Sequence, residues 1–279
     1  MKTLRKLLKL PLTLALGARF IRERAAHHFL IDYYPDLQLS IPLGDGFHCP
    51  LLTRDAVHSF SEIFVAGEYA AVFDEIPLPR RWIDLGSHAG YFSLWLAWRL
   101  AAAGQGREWN ALLVDADPRM EPLARAALDR NGLAQNYQYL SGLISKGGGD
   151  RDFALRDGMI SSMDIAARNG EAAKEVRRVG IVTPAAILAA LPPPYDLVKV
   201  DIEGGEADFV ECYKDVYTHA RAILMEWHSR DREGAAAAPL RAALEAGGFV
   251  YVKDVRRMRA EPLDGGWCSS GVQLYRRAP

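Results

Sequence analysis

The strongest constraint on the fold is an alternation that begins at Arg80. From there, short apolar runs alternate with segments of helical length. This alternation is typical of repeated βα units, in which helices cover both faces of a parallel sheet. We predict strands at 81–85, 110–115, 137–143, 196–201, 220–226, 248–253 and 271–276, and helices near 89–103, 118–131, 184–190, 206–217 and 235–247. The sequence therefore predicts a doubly wound α/β fold with a mostly parallel, seven-stranded sheet.

The remaining segments divide into a lead-in and one insertion. The 279 residues suffice for one large domain, which we place at 79–279, with a small N-terminal addition. Residues 36–78 predict a hairpin around a Gly-Asp-Gly turn and then a short helix. Residues 145–182 break the alternation, and we interpret them as an insertion with a hairpin through 152–163. Such excursions often carry substrate specificity.

Residues 1–35 predict a basic amphipathic helix, because leucines recur near helical spacing between lysine and arginine side chains. Lys9, Pro11 and Arg19 interrupt the apolar run, which is therefore too short to cross a bilayer. A signal peptide is disfavoured because the apolar stretch is short and the cysteines are unpaired. Two interpretations stay open, namely contact of residues 1–30 with a membrane surface and packing on the protein's own domain.

Charge and cysteine content narrow the partners and the compartment. The 34 basic and 35 acidic side chains leave a net charge of -1, which gives no global electrostatic reason to expect nucleic acid. Cys49, Cys212 and Cys268 are odd in number and far apart, which fits a reducing compartment. We predict a cytoplasmic protein without a nucleic-acid partner, peripheral at the inner face of the membrane if the N-terminal helix binds there.

The first chemical motif is the strand-turn-helix segment WIDLGSHAGYFSLWLA. Its glycine spacing is Gly86-x-x-x-Gly90 rather than GxGxxG, and Asp84 precedes the turn. An acid here suits an ammonium group better than a diphosphate, and S-adenosylmethionine carries both an amino group and a sulfonium. We therefore assign Asp84, Gly86, Ser87 and Gly90 to this cofactor. The alternative is an ordinary strand-to-helix turn.

The second motif follows the next predicted strand, which ends at Asp115. A carboxylate at this point can accept hydrogen bonds from ribose hydroxyls. Asp117 is predicted to cap the following helix. Ser141 and Gly142, near the end of the third predicted strand, are the remaining cofactor candidates.

The third motif is YDLVKVDIEGGEADFV. A strand buried on both faces should be continuously apolar, yet Lys199 and Asp201 interrupt this one. They collect at its carboxyl end, where ligands bind in open α/β sheets. Asp201 is therefore a candidate both for cofactor binding and for catalysis. A structural ion pair of Lys199 with Asp201 or Glu226 is the alternative.

The fifth strand ends in ILMEWHS, which places Glu226 and His228 next to Asp201. The candidate catalytic residues are Lys199, Asp201 and His228, with His228 or Lys199 removing the acceptor's proton. A magnesium ion held by Asp201, Glu226 and His228 is the alternative. We favour no tightly held metal, because Lys199 can already balance the charge.

Together, DLGSHAGYFS, VDADP, RNGL and VKVDIEGGE resemble the FkbM family of methyltransferases over roughly residues 55–255. The family's KxDxEGxE segment is complete here. His88 replaces the usual asparagine, which leaves the hydrogen bonding of the turn open, and Asp115 followed by Ala116 replaces Glu-Pro. The resemblance implies a class I, Rossmann-like methyltransferase fold, S-adenosylmethionine as methyl donor, and a hydroxyl of a sugar or secondary metabolite as acceptor, on a small molecule or a glycan.

Two other function classes remain as alternatives. A nicotinamide-dependent oxidoreductase is disfavoured because the chain lacks GxGxxG at the glycine turn. A non-catalytic binding protein would keep the cofactor fold without turnover. The oligomeric state is left open by the sequence.

Overall fold

The computed structural model describes residues 39–156, 174–263 and 266–278. Its strands are β1 (Ser40–Gly44), β2 (Phe47–Pro50), β3 (Arg81–Leu85), β4 (Asn110–Asp115), β5 (Tyr137–Ser141), β6 (Asp150–Leu155), β7 (Glu175–Gly180), β8 (Tyr195–Val200), β9 (Ala220–Ser229), β10 (Phe249–Leu263) and β11 (Gly266–Arg277). Its α-helices are α1 (Arg54–Phe60), α2 (Tyr91–Ala102), α3 (Met120–Asp129), α4 (Pro184–Ala190), α5 (Glu206–Cys212), α6 (Lys214–Tyr217) and α7 (Ala237–Ala246). A π-helical turn (Ser61–Val65) and a 3₁₀ turn (Ala70–Asp74) complete the lead-in.

The central sheet has seven strands in the order β10-β11-β9-β8-β3-β4-β5. Strands β9, β8, β3, β4 and β5 pair in parallel, whereas β11 is antiparallel to both of its neighbours. This order, with one reversed strand beside the edge, is that of the class I methyltransferase fold, so the predicted fold class is confirmed. The strand order reverses between β3 and β8, and ligands bind at such a switch point in open α/β sheets.

The sheet is buried on both faces, which is why its strands are so apolar. In β3, Trp82 belongs to one core cluster and the adjacent Ile83 to the other. The first cluster also contains residues of α2, α3 and the lead-in, and the second contains residues of α4 to α7. Cys49 of β2 is fully buried in the first cluster, so the lead-in packs into the core of the main domain.

One predicted helix and two predicted strands differ most from the structure. The helix predicted over 206–217 is interrupted at Tyr213, which separates α5 from α6. The strands predicted at 248–253 and 271–276 continue as a long hairpin in β10 and β11. A periodicity argument misses the hairpin extension because charged and polar residues dominate its arms and leave no regular apolar pattern.

The insertion forms a hairpin of β6 and β7, with Asp150 opposite Gly180 and Leu155 opposite Glu175. Its second strand therefore lies at 175–180, near the end of the insertion. The hairpin predicted through 152–163 extends beyond the described residues. Phe153, Leu155 and Val179 of this hairpin form a small apolar cluster with Leu143, which follows β5.

The predicted N-terminal helix and its membrane contact lie outside the described residues. In residues 39–156, 174–263 and 266–278, no helix combines the length and apolar character needed to span a bilayer.

Candidate functional site

A cavity of about 410 Å³ opens at the carboxyl edge of the sheet, beside the switch point. Its size lies within the range of small-molecule sites. One half, the cofactor half, is formed mainly by Gly86, Ser87, His88, Asp115, Asp117, Met120, Gly142 and Ile144. The other, the acceptor half, is formed mainly by Glu62, Glu68, Tyr69, Asp201, Glu203, Glu226, His228, Arg256 and Ser270.

The turn after β3 is held very close to the end of β8. Gly86 has a φ of +73°, and a Cβ built on it would lie 1.6 Å from the carbonyl oxygen of Asp201. Only glycine tolerates both the conformation and this approach. Gly90 also has a positive φ, but it packs against Ala124 of α3 and does not line the cavity.

Asp115 joins the two loops that form the cofactor half. Its Oδ2 accepts the backbone N–H of His88 at 2.7 Å, and its Oδ1 accepts that of Asp117 at 2.8 Å. His88 has a φ of +47°, a conformation that asparagine adopts more readily. Its backbone N–H nevertheless forms the hydrogen bond to Asp115, so the histidine at this position does not disrupt the turn. Burial raises the pKa of Asp115 to about 7, although the two backbone N–H groups act to lower it. Each carboxylate oxygen retains a lone pair for a ligand hydroxyl.

Asp84 does not line the cavity. It is fully buried, where Ser93 donates to its Oδ2 at 2.9 Å and Lys199 Nζ lies 3.4 Å from its Oδ1. The structure therefore does not bring Asp84 to where it was predicted to meet an ammonium group. Burial raises its pKa, and the Lys199 charge acts to lower it.

Lys199 is enclosed by oxygen atoms. Besides Asp84, its ammonium lies 3.3 Å from Asp201 Oδ2 and donates to the carbonyl of Gly86 at 3.2 Å. The predicted ion pair with Asp201 is thus present, whereas Glu226 pairs with Arg256 instead. Burial alone would lower the pKa of Lys199, but the carboxylates of Asp201 and Asp84 raise it above its usual range. The ammonium thus lies between three oxygen atoms, so Lys199 holds its neighbours in place.

The predicted cluster around His228 is brought together. His228 Nδ1 lies 3.0 Å from Glu206 Oε1, and Nε2 lies 3.6 Å from Glu226 Oε1 and 3.8 Å from Glu203 Oε1. Burial alone would lower the pKa of His228, but the surrounding carboxylates, Glu203 first, raise it to about 10. Burial and then the Asp201 charge raise the pKa of Glu226 to about 8.

Six of the acceptor-half residues were not predicted from the sequence, and Arg256 and Tyr69 are the most deeply placed examples. Arg256 Nε lies 2.7 Å from Glu68, and its guanidinium also contacts Glu226. Tyr69 is 5% exposed and packs edge-on against Phe92. Nothing local to either residue signals this placement, because the lead-in and the hairpin extension reach the cavity only through the tertiary fold.

Among the other predicted cofactor residues, Ser87 and Gly142 line the cavity, whereas Ser141 is exposed and does not. Asp117 does not cap α3 directly. The helix begins at Met120, and Asp117 instead accepts the backbone N–H of Arg119 and pairs with its guanidinium. Asp117 therefore lies in a turn three residues before the start of α3. The sequence pattern did not distinguish this turn from the N-cap of the helix.

No family model matches this chain, so the resemblance to the FkbM family stays a prediction. A curated protein of Jannaschia sp. (strain CCS1), described as a "Putative methyltransferase", is 28% identical over 144 residues. These residues are 48% of this chain and 52% of that protein, so the match spans about half the length of the curated relative.

Several solved structures have a similar fold. The O-methyltransferase from Bacillus cereus, in complex with SAH, has a TM-score of 0.46 at 13% identity, covering 89% of this chain and 97% of that one. A precorrin-6y C5,15-methyltransferase from Geobacter metallireducens has a TM-score of 0.41 at 12% identity, covering 75% and 87%. A tRNA methyltransferase from B. subtilis has a TM-score of 0.40 at 10% identity, covering 76% and 65%.

Proposed function

We propose that this chain is an S-adenosylmethionine-dependent methyltransferase. The observation that carries the proposal is the meeting of Asp115, the Gly86 turn and Asp201 in one cavity at the switch point. Ligands of open α/β sheets bind at this position, and a carboxylate after the second strand of the sheet suits a ribose. The strand order and the similarity to a curated methyltransferase support the same function.

In this proposal, Asp115 holds the ribose, while Ser87 and Gly142 line the space around the rest of the methyl donor. Asp201 lies where the two halves of the cavity meet, and Lys199 fixes its position. Asp201 and His228 orient the acceptor, and a carboxylate of the acceptor half accepts its proton, because the raised pKa of His228 keeps its ring protonated near neutral pH. General-base catalysis of this kind contributes about 10²- to 10⁴-fold in comparable enzymes. Positioning of donor and acceptor supplies the larger part of the rate acceleration.

We further propose that the acceptor is a hydroxyl group of a small molecule or glycan. The acceptor half is lined by carboxylates from the lead-in, β9 and the loop after β8, which disfavours a polyanionic substrate. Transfer is tested by SAH release from S-adenosylmethionine in the presence of sugars, with RNA as the opposing arm. Turnover with RNA alone would contradict this acceptor class.

We expect SAH to bind to the full chain, and the substitution of Asp115 by Ala to weaken binding by roughly 10- to 150-fold. This corresponds to about 1.5 to 3 kcal/mol for a hydrogen bond to a charged group. Isothermal calorimetry measures the affinity, and circular dichroism checks that the variant is folded. Asp152→Ala, at an exposed aspartate outside the cavity, is the matched control. Equal affinities of both variants, or a melting temperature raised by NAD and not by SAH, would refute the assignment.

SAH affinity should also depend on pH. The ribose hydroxyls donate to the ionised carboxylate, so binding favours the deprotonated form of Asp115. As the pH falls through about 7, Asp115 takes up a proton in the free protein, and the affinity should weaken by roughly tenfold between about pH 8 and pH 6. Asp115→Asn should abolish this dependence. A pH profile that is the same in both proteins would show that another group titrates.

A further inference from the structure

The acceptor half contains a compact group of metal-ligand atoms. One oxygen each from Asp201 and Glu203 and one ring nitrogen of His228 all lie within 4.8 Å of one another. The three side chains line the cavity and are 25%, 30% and 11% exposed, respectively. They are therefore shielded from bulk water and still reachable by an ion.

His228 is oriented by a buried carboxylate behind it. Glu206 is 2% exposed, lies 3.0 Å from Nδ1, and is itself fixed by the backbone N–H of Gly204 at 3.0 Å. Because Nδ1 is engaged by Glu206, Nε2, which lies 3.8 Å from Glu203 Oε1, is the ring nitrogen that a metal ion would bind in place of a proton. A carboxylate behind one ring nitrogen is the usual support of a metal-binding histidine.

The candidate ligands also belong to a network of ion pairs that is rich in carboxylates. Among the described residues, Lys199, His228 and Arg256 pair with Asp84, Asp201, Glu203, Glu206, Glu226 and Glu68. Asp201 and Glu203 bring carboxylate oxygens to one place in this network, and such oxygens are the ligands that hard divalent cations prefer.

A second observation points to a ligand here. Tyr69 lines the same cavity and is 5% exposed, and its hydroxyl makes no hydrogen bond to any described residue. Buried hydroxyl groups are normally hydrogen-bonded. A ligand oxygen in the acceptor half would provide the missing partner.

We infer that Asp201, Glu203 and His228 bind a divalent cation of the oxygen-preferring class, such as Mg²⁺ or Mn²⁺. Glu203 takes the place predicted for Glu226, because the Glu226 carboxylate is engaged by Arg256. The role of this cation in methyl transfer rests on the proposed function. When bound, such an ion binds acceptor oxygens and lowers the pKa of a hydroxyl. The acceptor class is therefore a hydroxyl compound with a second oxygen close enough to chelate.

The test is a Mn²⁺ titration of the full chain, purified with chelator, in which electron paramagnetic resonance reports free Mn²⁺. We expect one saturable site per chain. Glu203→Gln and His228→Ala should abolish it, and Glu206→Gln should weaken it by roughly 10- to 100-fold. Glu211→Gln, at an exposed glutamate of α5, is the matched control and should bind normally.

Absence of saturable Mn²⁺ binding, or binding that survives both Glu203→Gln and His228→Ala, would overturn the inference. Glu203 is partly exposed on a loop, so its variant tests the site even if His228→Ala does not fold. SAH calorimetry on the same samples separates this outcome from failure of the proposed function. Retained SAH binding without Mn²⁺ binding rejects the metal alone, and Mn²⁺ binding without SAH binding rejects the methyl donor alone.

Discussion

Substitution of Gly86 by alanine should destabilise the protein by roughly 4 kcal/mol or more, which is the range of exceptional single substitutions. The new Cβ would lie 1.6 Å from the carbonyl oxygen of Asp201, far inside van der Waals contact. Both atoms belong to the main chain or are attached to it, so no rotamer change relieves the overlap. The turn after β3 must move away from the end of β8, which also separates Gly86 from Lys199.

Gly104→Ala is the matched control for this substitution. Gly104 has a φ of +68°, close to the +73° of Gly86, but a Cβ there meets nothing within 4 Å. Gly104→Ala should lower the free energy of unfolding by only about 1 kcal/mol, which is the cost of placing alanine in the left-handed conformation. Denaturant unfolding of both variants measures the difference. Equal losses would mean that backbone conformation alone, and not the contact with β8, requires glycine at position 86.

Lys199→Met is expected to cost about 3 to 5 kcal/mol in unfolding free energy, the range for removing one partner of a buried ion pair. The methionine fills similar space but leaves the fully buried Asp84 without its cation. Lys146→Met provides the comparison, because Lys146 is 66% exposed and lies 3.9 Å from Asp208. That exposed pair should contribute at most about 1 kcal/mol.

A double variant tests the physical cause. Adding Asp84→Asn to Lys199→Met removes the uncompensated charge, and the amide oxygen of the new side chain can still accept the hydrogen bond of Ser93. Part of the lost stability should therefore return, as a double-mutant cycle would show. If the double variant is less stable than Lys199→Met alone, packing of the lysine chain rather than charge explains the loss.

The sequence by itself determined most of the central sheet. The ends of β3 and β4 agree with the prediction because these strands are buried on both faces, so their apolar character is a direct consequence of their position. The same reasoning located Asp115 and Asp201 at the carboxyl edge, since charged residues that end apolar strands lie there in a parallel sheet. To place these two residues it was enough to know where each strand ends, because parallel strands all end at the same edge of the sheet.

Only the tertiary structure decided which charges pair. Asp84 lies opposite Lys199 in the register of β3 and β8, two strands that are far apart in sequence and adjacent only because of the strand order. Arg256 reaches Glu68 and Glu226 because the β10–β11 hairpin extends over the cavity towards the lead-in. Ion-pair energies fall with distance between side chains and do not depend on sequence separation, so local pattern could not choose among the candidate partners.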